Sequence, residues 1–386
     1  MAVFVNGDYS RAVPAVSSFY TILDTQRHPT GDAVRFLIAE NEIYSTFPKL
    51  LRELAREGMI ATAKRARYSS RLMPTLSSAN LTVENRVVIT VSRIQGAKER
   101  SRRLKSLPLI LFIAVLAIVF VDGIYRSLDF TTLIARDPLL LAAVYTMSLL
   151  GILGVHEMGH MIANKWHGIR TSWPYFIPGI PGIIPTFGAM IVMRSHMTNR
   201  NVLFDVGISG PIAGLIVTLV VSVYGASISV IIPADQAQDS GGLVPLRSNI
   251  LMMATMQVSG NGGEAASSDN TVLIASPVLF AAWIGFLITF LNLMPAAQLD
   301  GGHIVRSALG VRWHRILTYS SIGVLFGLGF YPMAFLVLLI AMRAPESTPL
   351  DDVSPLSKKR KALFWVAIAL AVLCAPLPDE ALSSLF

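Results

Sequence analysis

Long apolar runs are the feature that most limits what this chain can fold into. They are Leu107–Val121, Leu139–Trp166, Phe204–Ile232, Val272–Leu293, Ile316–Met342 and Leu363–Leu377. The first four are long enough to cross about 30 Å of hydrocarbon as helices, allowing for some tilt. Hydrophobic residues make up 53% of the 386 residues and charged residues only 15%, unlike a soluble domain. The pattern predicts a polytopic α-helical membrane protein with about six or seven transmembrane segments.

Basic residues are concentrated before the first apolar run. Residues 1–106 hold 17 basic and 9 acidic side chains, and this excess equals the net charge of the whole chain, +8. The positive-inside rule then predicts a cytosolic N-terminus. Nucleic-acid binding is the other interpretation of a basic segment, and we set it aside because topology and anionic lipid already explain a juxtamembrane cluster. That cluster comprises Arg93, Lys98, Arg100, Arg102, Arg103 and Lys105.

The N-terminal segment, residues 1–106, has the pattern of a small cytosolic α+β soluble domain. Asp32–Glu40 alternates as a strand does, and Phe47–Met59 has helical spacing of apolar residues that ends at a glycine. Ile60–Ala66 and Arg86–Ser92 are further strand-like runs. The polar stretch Thr75–Thr82 predicts a loop. The segment shows no catalytic constellation.

Trp173–Met193 is apolar but rich in proline and glycine. Such a sequence does not form a lipid-exposed spanning helix, because irregular backbone at membrane depth must be buried in protein or line a cavity. It predicts a re-entrant loop or a short hairpin, with a surface amphipathic loop as the alternative. Its last part, Gly188–Met193, resembles a strand whose free edge can receive an extended peptide.

A histidine pair near the end of the second run indicates metal chemistry. His156 and His160 are four residues apart, and Glu157 lies between them. Two imidazoles at this spacing project from one helix face and can share a zinc ion, while the glutamate can take a proton from water. This HExxH pattern also occurs by chance, with two ordinary helix-surface histidines as the alternative. Polar residues at the end of an apolar run nevertheless favour a functional site.

A zinc site of this kind needs a third protein ligand. With Cys374 as the single cysteine, a thiolate cage is excluded. Among later acids, Asp205 and Asp300 adjoin apolar runs. Asp205 opens a run and is most simply structural. Asp300 follows a helix-breaking proline and precedes two glycines, and it is the better candidate.

Two motifs together resemble a known family. HEMGH at 156–160 and NLMPAAQLDGG at 292–302 are similar to the HExxH and NxxPxxxLDG signatures of site-2 proteases, the intramembrane zinc metalloproteases. The glycine-rich stretch 207–214 is similar to the middle helix of that family's core, and the whole chain looks most like the longer archaeal and plastid-type members. The resemblance implies a transmembrane metalloprotease domain at residues 107–377, with its core at 139–310 and a tail at 378–386.

The resemblance also assigns residues and partners. It implies that His156, His160 and Asp300 bind one Zn²⁺ per chain and that Glu157 is the catalytic acid/base. Asn292 corresponds to the motif asparagine, which would orient substrate or stabilise the oxyanion. Expected partners are single-span transmembrane substrates and membrane lipid, with the active site in the membrane near the cytosolic side; the oligomeric state stays open.

Three alternative functions remain beside the protease. A prenyl-protein type of membrane protease would need a later ExxxD-like glutamate motif, which is absent from the sequence. A transporter or channel would also bury polar residues at mid-membrane. A zinc-binding membrane scaffold without catalysis is the third alternative, and it would be insensitive to loss of the Glu157 carboxylate.

Other histidines and one apolar run carry further expectations. His303 is expected to face solvent or to hydrogen-bond near the metal, and the histidines flanking runs are expected to be interfacial; these are His167, His196 and His314. Glycines and a proline near Tyr331 interrupt Ile316–Met342. We therefore predict that this run forms two short helices, which would return the basic cluster 358–361 to the cytosol.

Overall fold

The chain separates into two compact units, which are described in turn. The computed structural model describes residues 9–28, 31–66, 86–94, 106–132, 136–182, 184–233, 246–260, 271–343 and 348–376. The N-terminal unit comprises Met1–Ser101, His196–Leu203 and Ser347–Lys358, and the helical unit comprises the rest.

The N-terminal unit is built on a four-stranded antiparallel sheet. Its elements are α1 (Ala12–Ser17), β1 (Ile22–Arg27), β2 (Ala33–Ile38), α2 (Phe47–Arg56), β3 (Met59–Arg65) and β4 (Val87–Arg93), with strand order β1-β2-β4-β3. The predicted strands and helix are confirmed for β2, α2, β3 and β4. The predicted loop Thr75–Thr82 lies outside the described residues.

Alternating burial explains why this sheet forms. In β3 the residues Met59, Ala61 and Ala63 are buried, and in β4 the residues Val87, Ile89 and Val91 are buried, so each strand turns one apolar face inward. That face packs with the buried residues Phe47, Leu50 and Leu54 of α2. The apolar residues at every second position of the strands and at helical spacing in α2 therefore form one shared core.

Two later segments of the chain belong to the N-terminal unit. The Ala63 amide donates to the Leu350 carbonyl at 2.7 Å, and the Leu350 amide donates to the Met197 carbonyl at 2.9 Å. Arg200 Nε also donates to Asp352 Oδ1 at 3.0 Å. Residues 197–200 and 350–352 are thus held together with the sheet.

Helices dominate the second unit. They are α3 (Leu107–Thr131), α4 (Pro138–Trp166), α5 (Arg200–Ser227), α6 (Ile250–Val258), α7 (Pro277–Leu293), α8 (Asp300–Leu309), α9 (Val311–Gly327), α10 (Tyr331–Arg343) and α11 (Lys358–Leu373). Within the described ranges, α3, α4 and α5 are the three helices long and apolar enough to cross a membrane. Shorter apolar helices are α7 and α10. The expectation of a mostly helical fold with helices able to cross a membrane is therefore confirmed, and the number of six or seven spans stays a prediction.

The fourth predicted run is shorter as a helix than its hydropathy suggested. Its first residues lie in β8 (Thr271–Ile274), which pairs antiparallel with β7 (Val230–Pro233). Ser276 then caps α7 by accepting from the Leu279 amide at 3.1 Å, and Pro277 occupies the first turn. The expectation that Val272–Leu293 is one helix is wrong, because its first residues pair with a distant strand.

The run Ile316–Met342 is divided, as predicted. Helix α9 ends at Gly327 and α10 begins at Tyr331. Between them Gly329 has φ +82°, a left-handed conformation that ends a helix at little cost for glycine.

The proline- and glycine-rich segment forms a β-hairpin, one of the two predicted forms. Its strands are β5 (Tyr175–Ile180) and β6 (Ile184–Met190), so the second strand begins and ends earlier than the predicted Gly188–Met193. Phe176 of β5 packs edge-on against Phe112 of α3, with 5.2 Å between ring centroids. The hairpin lies against α3 and α4 of the helical unit.

Candidate metal centre

Helix α4 presents the histidine pair on one buried face. His156 and His160 are four residues apart and only 4% and 6% exposed. Glu157 follows His156 on the same helix and is 5% exposed. Burying three ionisable groups together is costly unless they serve one another or a shared ligand.

Asp300 completes a compact set of donor atoms. Asp300 is the first residue of α8 and follows the loop after α7. Asp300 Oδ2 lies 3.3 Å from His156 Nε2 and 3.2 Å from His160 Nε2. The two Nε2 atoms lie 3.2 Å apart. Three residues from two distant parts of the chain thus meet at one point.

The spacing of these three atoms fits a zinc ion. Ligands held about 2.0–2.1 Å from a tetrahedral zinc are separated from one another by about 3.3–3.4 Å. The distances of 3.2–3.3 Å between the three donor atoms match that edge length. Two imidazole nitrogens and one carboxylate oxygen are also a usual donor set for a catalytic zinc, which keeps a fourth position open.

Neighbouring groups orient the two imidazoles. His160 Nδ1 lies 2.8 Å from the Val206 carbonyl of α5, to which it donates, so that Nε2 is left free to bind a metal. Asn292 Nδ2 lies 3.3 Å from His156 Nε2, which brings the motif asparagine to the donor atoms. All five residues predicted from the two motifs therefore lie in or beside one centre.

Glycines of α5 let the three helices approach closely. A Cβ added at Gly210 would lie 2.1 Å from His160 Nε2, and one added at Gly214 would lie 3.1 Å from His156 Nδ1. A Cβ at Gly207 would lie 3.0 Å from the Asp300 carbonyl oxygen. The glycine-rich stretch thus forms the surface against which the histidines and the aspartate pack.

Two side chains of α9 hold the loop that precedes Asp300 through hydrogen bonds. Ala297 has φ 45°, an uncommon conformation for a residue with a side chain. Its amide donates to Thr318 Oγ1 at 3.0 Å, and its carbonyl accepts from His314 Nε2 at 2.8 Å. The expectation that His314 is interfacial is wrong: it is 6% exposed, because its ring supports this loop.

Two other histidines make contacts that the sequence does not indicate. His303, for which a solvent-facing position was one expectation, is buried, and its Cβ lies 3.1 Å from the position of a Cβ added at Gly207. His167 Nε2 lies 2.9 Å from Asp205 Oδ2, and Arg360 donates to both oxygens of that carboxylate at 2.6 Å. Asp205 is therefore engaged in an ion-pair cluster separate from the three donor atoms.

Comparison with known proteins points to one family. Residues 144–336 match Peptidase family M50, and this range contains all the residues of the centre. The chain is 33% identical to "Probable zinc metalloprotease EGY1, chloroplastic" of Arabidopsis thaliana over 238 residues, covering 60% of this chain and 42% of that protein. It is 32% identical to the protein of the same name from Oryza sativa subsp. japonica over 248 residues, covering 60% of this chain and 40% of that protein.

A further relative is less similar. "Probable zinc metalloprotease EGY2, chloroplastic" of Arabidopsis thaliana is 29% identical over 242 residues, covering 59% of this chain and 40% of that protein. The matched part of the chain thus spans about two fifths of the length of these relatives. No solved structure matches the chain significantly.

Proposed function

The chain belongs to peptidase family M50, and from this we propose that it is an intramembrane zinc metalloprotease that cleaves membrane-spanning segments of other proteins. The observation that carries the proposal is the meeting of His156 Nε2, His160 Nε2 and Asp300 Oδ2 within 3.2–3.3 Å of one another. A zinc ion held there would polarise a scissile carbonyl and make water more acidic.

Each residue of the centre then has a task in peptide hydrolysis. His156, His160 and Asp300 would hold the ion. Glu157, buried on the same helix, accepts the proton from the attacking water and later delivers it to the leaving amine. Asn292, with its amide 3.3 Å from His156 Nε2, is close enough to hold the substrate backbone or the oxyanion.

The arrangement in the membrane is also part of the proposal. The segments that precede α5 and α11 belong to the same unit as the N-terminal sheet, which supports a common, cytosolic side for all three. Helices α3, α4, α5, α7 and α11 would then cross, and α9 with α10 would form a hairpin, giving seven transmembrane segments. His156 lies 17 residues after Leu139, or roughly 26 Å along α4, which supports a site in the cytosolic half.

Cysteine labelling tests this topology. In a Cys374→Ala background, Lys359→Cys is expected to react with a membrane-impermeant thiol reagent only after the cells are permeabilised. Val258→Cys is the matched control, because Val258 is 76% exposed and lies in α6 on the proposed external side. It is expected to react in intact cells. Labelling of Lys359→Cys from outside would contradict the hairpin topology.

The chemistry also limits the substrates. A membrane helix locks its carbonyls in i→i−4 hydrogen bonds, which must open before a carbonyl can reach the centre. We propose single-span substrates that unwind locally at glycine, proline or asparagine in the cytosolic half of the span. The exposed β6 residues Phe187 and Met190 lie on the hairpin, whose strand would hold such a segment in extended form.

Co-expression with a panel of single-span membrane proteins tests the proposed function. The wild-type chain is expected to release fragments cut in the cytosolic half of the span, and Glu157→Gln is expected to release none. Replacing the helix-breaking residues of a cleaved substrate by leucine should slow its cleavage at least about tenfold, since each broken helical hydrogen bond must now be opened during the reaction.

Two outcomes would refute this proposal. Efficient cleavage of an uninterrupted polyleucine span would remove the requirement for local unwinding. Equal fragment patterns from the wild type and Glu157→Gln would instead favour the scaffold without catalysis.

A further inference from the structure

A second buried polar cluster lies on α3, apart from the candidate metal centre. Asp122 is 0% exposed in a helix that is otherwise strongly apolar. Its carboxylate accepts three hydrogen bonds: from Arg126 Nε at 2.8 Å, Tyr145 Oη at 2.6 Å and the Gly182 amide at 2.7 Å. An ionisable group is rare inside a membrane helix because its burial is costly, so the cluster calls for an explanation.

The surrounding residues are fitted to this carboxylate. A Cβ added at Gly123 would lie 2.7 Å from Tyr145 Cδ1 and 3.1 Å from the Ala142 carbonyl oxygen, so the glycine lets α4 approach α3. Arg126 balances the charge one helical turn away, and its guanidinium lies 3.7 Å from the ring centroid of Phe280 in α7. Three helices therefore contribute to one satisfied network.

The partner that reaches Asp122 from outside these helices is the hairpin. Gly182 lies in the turn between β5 and β6 and has φ +84°, a conformation that favours glycine. At the other end of the hairpin, the Ser172 amide donates to the Val192 carbonyl at 2.9 Å. The hairpin is thus closed at its base by its own backbone and tied at its tip to the middle of a membrane helix.

Strand β6 contacts α4, the helix that carries the histidine pair, while its residues Phe187 and Met190 are 55% and 54% exposed. Any movement of the tip would change where this strand lies against α4. The hydrogen bond from Gly182 to Asp122 opposes that movement, and the low dielectric of the membrane strengthens it relative to a surface bond.

We propose that Asp122 is a positioning residue for substrate: by holding the Gly182 amide it fixes the hairpin tip, and with it the strand along which an unwound membrane segment binds. This inference rests on the proposed protease function. It assigns to Asp122 no contact with the reacting atoms. Its loss should therefore weaken substrate binding and leave the zinc content and the chemical step largely intact.

Spin-label distances test the tie without any substrate. In a Cys374→Ala background, labels are placed at Ile180 near the hairpin tip and at Met147 on α4, which are 56% and 76% exposed. The distance distribution is expected to be narrow with Asp122 present and at least about twofold broader in Asp122→Ala. Tyr145→Phe is the matched control, because it removes one donor to the same carboxylate and leaves the Gly182 bond; its distribution should stay narrow.

A conservative variant separates positioning from general stability. Asp122→Asn keeps an oxygen for the Gly182 amide and loses the charge, so it should restore the narrow distribution even if it lowers thermal stability. The proposal is overturned if the distance distribution of Asp122→Asn is as broad as that of Asp122→Ala. It is also overturned if the distribution of Asp122→Ala stays narrow, because the bond to Gly182 then does not hold the hairpin. Should Asp122→Ala fail to fold, the Asp122→Asn distribution decides: narrow supports the tie and broad overturns it.

Kinetics on a cleaved substrate complete the test. Asp122→Ala is expected to raise KM about tenfold, the value of one charge-assisted hydrogen bond, with kcat changed less than about twofold and zinc content unchanged. Asp122→Asn should return KM most of the way to the wild-type value. A fall in kcat at constant KM would overturn the positioning role. If the wild type cleaves no substrate, the proposed function fails, and the spin-label distances still decide whether Asp122 holds the hairpin.

Discussion

Replacing Asp300 by alanine is expected to remove zinc from the detergent-purified protein, and His156→Ala and His160→Ala are expected to do the same. Each change removes one of three donor atoms that lie 3.2–3.3 Å apart. Loss of a mere supporting hydrogen bond costs about 10–100-fold in metal affinity, so loss of a ligand should cost more than about 100-fold. Zinc per chain, measured by elemental analysis after dialysis against a weak chelator, checks this result.

Glu157→Gln is the matched control for these three variants. It preserves the size of the side chain and leaves all three donor atoms in place, so zinc content should equal that of the wild type. Cleavage should fall by about 10²–10⁴-fold, the usual contribution of a general acid/base. Stoichiometric zinc in Asp300→Ala would contradict the assignment of that residue as a ligand, and loss of zinc in Glu157→Gln would contradict the division of roles.

The histidine pair could be predicted from sequence because its geometry is local. A separation of four residues on one helix places His156 and His160 on the same face whatever the rest of the chain does. The position of Asp300 is harder to predict, because Asp300 meets the histidines only through the packing of α8 against α5. The motif around it nevertheless predicts its position, because a proline and two glycines allow a sharp turn there.

The support of the site could not be predicted in this way. Alanine has no preference for a positive φ, so nothing local at Ala297 indicates its conformation. That conformation is held by His314 and Thr318, which are 17 and 21 residues further along the chain. Whether a histidine near an apolar run supports a loop or faces the interface depends on which helix lies beside it, and a sequence pattern does not contain that information.

The apolar runs show a similar limit. Hydropathy predicted the three long helices, and the glycines and proline near Tyr331 predicted the division into α9 and α10. Hydropathy does not distinguish a strand from a helix in a short apolar stretch, and for this reason the fourth apolar run extends into β8. Its partner β7 lies about 40 residues earlier in the chain, and pairing over such a separation is decided by tertiary structure.

Gly210→Ala is expected to weaken zinc binding although glycine binds no metal. The added Cβ would lie 2.1 Å from His160 Nε2, so either the imidazole or α5 must move. The ring cannot move freely, because its Nδ1 is held 2.8 Å from the Val206 carbonyl. Overpacking a close-packed interior costs about 1–3 kcal/mol. If this cost opposes the metal-binding position of His160, zinc affinity should fall by about 5- to 150-fold.

Gly154→Ala provides the control for Gly210→Ala. It introduces the same methyl group into α4, two residues from His156, where nothing lies within 4 Å of the added Cβ. Alanine is also the better helix former, so stability and zinc content should stay at or slightly above wild-type values. Both variants are to be compared by zinc content, thermal unfolding in detergent and cleavage. If Gly210→Ala has the zinc content and the cleavage rate of the wild type, α5 does not pack tightly against His160. Close packing would then not explain why this stretch of α5 is rich in glycine.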